Sequence, residues 1–161
     1  MTDEIKLRII EDMTAMTSLL EQYDAATSEI IATDIDETLE GIVERIGAID
    51  EKLGSLRTDI DSACGVCSQN ESELVYKMIR GDHVPMIMDK PLKEIHTAAV
   101  RMRSVLISVQ SKEPQASARI SARVKELRTE LQNVNAGRKT TGYSSMGAGL
   151  SSTGGTFNGK L

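Results

Sequence analysis

Aromatic side chains are almost missing from this chain: it has no Trp, one Phe (Phe157) and three Tyr in 161 residues. Sheet sandwiches and α/β enzymes of this size build their cores around such rings, so the scarcity argues against both. It also leaves nothing to interleave with the basic residues, and base stacking on nucleic acid has almost no platform. No run of 18 apolar residues occurs, which excludes a transmembrane helix. The first residues, Met1-Thr2-Asp3-Glu4, are acidic where a secretory signal would be basic. The chain is therefore expected in a reducing cytoplasm, with Cys64 and Cys67 as thiols. No phosphate loop, nucleophile elbow or H-E-x-x-H motif is present.

The apolar material that is present consists of Ile, Leu, Val, Ala and eight Met, the stock of a helical bundle. Met packs adaptably in cores and also suits surfaces that bind changeable partners. The clearest pattern runs from Leu39 to Ile60. Leu39, Ile42, Ile46, Ile49, Leu53, Leu56 and Ile60 follow one another by three and four residues in alternation. At 3.6 residues per turn these seven side chains line one helix face, and Glu40, Glu44, Arg45, Asp50, Glu51, Lys52 and Asp59 fall between them. Covering that stripe supplies roughly 10–20 kcal/mol before conformational entropy is charged.

Other stripes flank it. Thr2 can cap a first helix with Asp3 and Glu4 at its positive end, and Ile9, Met13, Met16, Leu20, Tyr23, Thr27 and Ile30 form its seam. Ala32-Thr33-Asp34 reads as a turn, with Asp34 and Glu37 as a capping box for the next helix. So short a connection makes the two helices antiparallel neighbours. Residues 61–89 are irregular or carry a short helix. The preceding stripe can be continued through Cys64, Cys67, Glu71, Leu74 and Met78. Gly65 and Asn70 argue for a break instead, in which case Asn70 with Glu73 can cap a helix through Arg80 that Gly81 ends. Pro85 makes Val84–Met88 an extended apolar connector. A further helix begins between Asp89 and Pro91, with Leu92, Ile95, Ala99, Met102, Leu106 and Val109 as its seam. Pro114 either kinks or ends it. Continuing by heptads gives Glu113, Ala116 and Ile120. A last amphipathic run, Ile120, Val124, Leu127, Leu131 and Val134, stops at Gly137. Residues 138–161 hold Arg138, Lys139 and Lys160, six glycines and no acid. Such a stretch cannot bury enough apolar surface to order itself, so a disordered basic tail is expected. The fold expected is all-α: an elongated antiparallel bundle or coiled coil of three to five helices over 1–137, with the tail after it.

Charge divides the chain. Residues 1–73 hold 18 acidic and 5 basic side chains, and residues 74–161 hold 6 acidic and 14 basic. The plain reading is that the two halves attract and pack together. The other is that the basic half seeks an acidic partner. Cys64-Gly65-Val66-Cys67 has the spacing of zinc and redox sites. A structural zinc needs four ligands, and His83 and His96 complete no common spacing. A thioredoxin-type site needs a βαβ surround, which this pattern lacks. Two thiols at i and i+3 can simply face a core, and no cofactor or metal is expected. The paired carboxylates, such as Asp34 with Asp36, sit near a turn or on polar faces, so they read as solvated surface. The segment with most functional promise is Ile120 to Tyr143, an amphipathic helix with Arg119, Arg123, Lys125 and Arg128 beside its stripe. It either closes the bundle or docks against another chain.

Two stretches resemble the FlgN-type flagellar export chaperones. One is the hairpin from Leu19-Leu20-Glu21-Gln22-Tyr23 to Ile30-Ile31-Ala32-Thr33-Asp34-Ile35-Asp36, followed by Leu39-Glu40-Gly41-Ile42-Val43-Glu44-Arg45-Ile46. The other runs from Leu131-Gln132-Asn133-Val134-Asn135-Ala136-Gly137-Arg138-Lys139 to Tyr143. The Cys64–Met88 region resembles no part of that family. The resemblance implies a cytoplasmic, non-enzymatic chaperone that binds hook–filament junction proteins and delivers them to the export gate. It implies Ile120, Val124, Leu127, Leu131 and Val134 as the client face and Tyr143 as a contact with the export machinery. Two other readings stand beside it: a coiled-coil protein that pairs with itself, as a homodimer for example, and a metal or redox sensor using Cys64 and Cys67.

Overall fold

In the computed structural model, the backbone is described for residues 1–32, 36–85 and 90–147, and side chains for 1–32, 39–85 and 90–136. Among these residues the chain is all-α, with four helices and no strand: α1 (Asp3–Ala32), α2 (Asp36–Gly65), α3 (Gln69–Arg80) and α4 (Lys90–Gly147). It divides into two compact units, Met1–Arg119 and Ile120–Leu161.

The first unit follows from its stripes. α1 starts at the Thr2 cap, whose hydroxyl accepts the Ile5 N–H at 3.4 Å. Its seam buries Ile9, Met13, Leu20, Thr27 and Ile30. Thr17 is also buried, with its hydroxyl donating to the Met13 carbonyl at 2.8 Å. α2 packs antiparallel to α1. Arg8 reaches Asp59 near one end of the pair and Arg45 reaches Glu29 near the other. The α2 seam is as spaced: Ile42, Ile49 and Ile60 are buried, and Leu39, Ile46, Leu53 and Leu56 are half-buried. The Asp34–Glu37 cap falls outside the residues whose side chains are described.

α2 stops at Gly65. The Cys67 N–H turns back to the Cys64 carbonyl at 3.0 Å. α3 begins two residues earlier than the Asn70–Glu73 reading placed it. Its cap is Ser68, whose N–H donates to Glu71 Oε2 at 3.1 Å and whose hydroxyl donates to the same atom at 2.7 Å. The physical reason is reciprocity: Ser68 and Glu71 are three apart and satisfy each other. α3 docks antiparallel on the last turns of α2. The Ser72 hydroxyl donates to the Cys64 carbonyl at 2.6 Å, and the Tyr76 hydroxyl donates to Asp61 at 2.9 Å. Gly81 ends it in the left-handed conformation, φ 84°, with its N–H on the Lys77 carbonyl. The core at this end gathers Ile9, Met13, Ile60, Ala63, Cys64, Val75, Met78, Ile95 and Ala99 from all four helices, and Val84 of the connector packs against it. Residues 86–88 of the expected connector lie outside the described residues.

α4 runs parallel to α1 within this unit. Arg101 bonds Glu21 at 3.3 Å, Lys112 bonds Asp24 at 2.7 Å, and Arg119 donates to the Ile31 carbonyl at 2.9 Å. Its seam buries Ile95, Ala99, Met102, Val109 and Ala116. Ala116 lies beyond Pro114, so the repeat keeps phase across the proline, which sits inside a continuous helix. The helix also continues ten residues past Gly137, to Gly147, where the sequence suggested a stop. In the second unit, the described side chains are those of residues 120–136 on α4.

Two substitutions test this account. Pro114 is exposed and costs its helix an N–H bond, so Pro114→Ala is expected to stabilise by about 1–3 kcal/mol in urea unfolding. Gly81→Ala is expected to destabilise by about 1 kcal/mol or more, read as a lowered urea midpoint. The backbone is left-handed there, and a Cβ would lie 1.8 Å from the Arg103 guanidinium.

Candidate functional site

The late stripe is an exposed apolar face. Val124 and Leu127 are each 43% exposed, Leu131 62% and Val134 54%. Ile120, at the start of the second unit, is half-buried. Helical spacing places the five on one face of one helix. The face is bordered by charge: Arg123 bonds Glu126 at 2.9 Å and Glu130 at 3.5 Å on its own helix. Residues 120–147 carry five cations and two acids. An apolar strip of this kind between charged flanks is what a second amphipathic helix packs against. Tyr143 lies on the helical backbone, but its side chain falls outside those described.

The two thiols are placed differently. Cys64 is 1% exposed and belongs to the core of the first unit. Cys67 is half-buried, with its thiol donating to the Ala63 carbonyl at 3.3 Å. A reactive or metal-binding cysteine needs its thiolate favoured. Here burial, aided by the neighbouring Cys67, pushes the Cys64 thiol up to about 11. Burial and the charge of Glu71 raise Cys67 as well, against the opposing pull of the chain's amino group. Among the described residues no three of His, Cys, Asp and Glu converge as a metal set. His83 is exposed and His96 half-buried.

The carboxylates have structural partners. Hydrogen bonding from Lys112 and Ser108 holds Asp24 below its usual range and ties α4 to α1. The amino group of Met1 and the Ser68 cap lower Glu71 to about 2. Asp12 moves the other way. Burial and the nearby Asp59 raise it, against the pull of Arg8, and its Oδ2 is buried with no hydrogen-bond partner.

One surface escaped the sequence reading. The first unit holds an open groove of about 540 Å³ whose apolar lining includes Met16, Leu20, Leu53, Ile79, Met102 and Leu106. Arg57, Asp61, Tyr76 and Arg80 also line it. All of these apolar positions but Ile79 belong to the expected stripes, so periodicity alone counted them as core. The available signal was length: α3 has 12 residues against 30 for α1 and α2, so it cannot cover their whole seam.

No family model, curated protein or solved structure matches the chain. Among the described residues no helix is long and apolar enough to cross a membrane.

The buried thiol gives a pH test. The unfolded chain loses the Cys64 proton near pH 9, while the fold keeps it to about 11. The native state therefore binds the extra proton across that window, and stability falls as pH rises through it. Urea midpoints are expected to decline from pH 9 to 11, and Cys64→Ala is expected to flatten that slope, whatever its effect at neutral pH.

Proposed function

We propose that this chain is a cytoplasmic, non-enzymatic export chaperone of the FlgN type. The first unit is its folded base. The late helix of α4 binds an end of a hook–filament junction protein through Ile120, Val124, Leu127, Leu131 and Val134. Tyr143 is the candidate contact with the export gate.

The observation that carries the reading is the uncovered stripe: four large aliphatic side chains, 43–62% exposed, on one helical face. Leaving that much contiguous apolar surface in water is costly, and such patches mark places where another chain packs. An apolar stripe at i, i+3, i+4 and i+7 recognises an amphipathic helix or an extended apolar segment. The hairpin and late-helix resemblance supplies the identity of the client, and the raised thiols count against the metal or redox reading.

Calorimetric titration of the full chain with a purified hook–filament junction protein tests this. Saturable binding is expected. Leu127→Glu with Leu131→Glu is expected to weaken it by more than tenfold while leaving the urea midpoint of the first unit unchanged. Absence of binding by the unaltered chain, or equal binding by the double variant, would overturn the reading.

A further inference from the structure

The late stripe has a strict seven-residue repeat. Its steps from Ile120 through Val124, Leu127 and Leu131 to Val134 are 4, 3, 4 and 3. In heptad terms Val124 and Leu131 are a positions, and Ile120, Leu127 and Val134 are d positions. The flanking g positions hold Arg123 and Glu130, and the e positions hold Ser121 and Arg128. In a coiled coil, the flanking charges select partner and orientation.

Resting on the reading of this stripe as a binding face, we propose that a second copy of the chain covers it when no client is present. The two late helices pair antiparallel, with Val124 of each copy facing Leu127 of the other and Ile120 facing Leu131.

Charge complementarity selects this arrangement. A parallel pair places Arg123 of each copy against Arg128 of the other, a like-charge contact made twice. Sliding the antiparallel pair by one heptad, so that Val124 faces Val134, sets Glu130 against Glu130 and Arg128 against Arg128. The proposed register avoids the Arg123–Arg128 and Glu130–Glu130 contacts and brings Arg123 of each copy to Glu130 of the other, twice by symmetry. Side chains lean toward the N-terminus of their own helix. In an antiparallel pair this lean brings Arg123 and the opposing Glu130 together. Arg123 already bonds Glu126 and Glu130 of its own helix. A guanidinium has five donors, so a further carboxylate adds to that network without breaking it.

Four core layers and two ion pairs make a small interface. Such a pair is weak, as a cover that a client displaces must be.

Sedimentation equilibrium of the full chain over a wide concentration range is expected to show a reversible monomer–dimer equilibrium. Arg123→Glu is expected to weaken the dimer about tenfold by setting Glu against Glu at two sites. Adding Glu130→Arg to it is expected to restore the dimer. Under mild oxidation, an equal mixture of Val124→Cys and Leu127→Cys chains is expected to form mainly the mixed disulfide, identified by mass spectrometry. Circular dichroism confirms that the variants stay helical. A chain monomeric at every concentration, a Leu127→Cys chain that crosslinks to itself as readily as to Val124→Cys, or a dimer indifferent to Arg123→Glu would overturn the proposal. Client binding by a chain that stays monomeric sinks the pairing and leaves the client reading standing. A dimer with this crosslink that binds no client does the reverse.

Discussion

The constraint that shapes this molecule is that an amphipathic helix holds its place only where its apolar stripe is covered. Near the N-terminus of α1 the requirement is met by four helices at once. Ile9 and Met13 of α1 meet Ile60 and Cys64 of α2, Val75 and Met78 of α3, and Ile95 and Ala99 of α4. Each side chain there is nearly or fully buried, and the Ile, Val and Met among them are worth roughly 1.5–3 kcal/mol apiece before entropy. Polar contacts then fix which helix lies beside which. Asp24 of α1 receives both Ser108 and Lys112 of α4, and Lys112 also reaches Ser28. That cluster sets the register of α4 along α1, a choice that apolar seams alone leave loose, because Ile and Leu pack at several offsets.

Where covering is incomplete, the molecule has surfaces to offer. α3 ends at Gly81 after 12 residues, and the apolar walls of α1, α2 and α4 border the open groove. Its lining mixes Arg57 and Arg80 with Asp61, so its charge selects no sign of partner. The late stripe is different. Its flanks are ordered as g and e positions of a repeat, which gives it a directional preference that the groove lacks. For this reason the late helix, and not the larger concavity, carries the functional reading.

Much of the first unit was legible in the residues. The 3–4 spacing located the seams of α1, α2 and α4, down to Ala116 beyond Pro114, because burial follows period wherever a partner exists. Gly81 marked the end of α3 through its tolerance of left-handed backbone, and Gly65 stands as the last residue of α2. The cap of α3 was misplaced by two residues because Asn70–Glu73 and Ser68–Glu71 match the same four-residue pattern. Only the three-dimensional contacts separate them. The groove was illegible because periodicity reports which face is apolar, not whether a neighbour is long enough to reach it. As for the candidate site, its residues and common face were readable from spacing. Their exposure was not, since closing a bundle and docking a partner leave the same pattern.

The continuation of α4 past Pro114 and Gly137 has a physical account of its own. Starting a helix is the costly step, and extending one is cheap. Residues from Ile120 onward inherit a formed turn from a segment already held by Ile95, Ala99, Met102 and Val109. Ala122, Lys125, Glu126, Leu127, Arg128 and Leu131 are good helix formers, and Arg123 adds ion pairs along the surface. The stripe therefore needs no burial of its own to remain helical. The repeat also slips where the two units meet. Val109, Glu113, Ala116 and Ile120 step by 4, 3 and 4, and the next step, to Val124, is again 4. A step of 4 after 4 is a stutter, which offsets the drift of a strict seven-residue repeat on a straight helix. By spacing, the stripe therefore keeps to one side of α4 through Ile120 and Val124.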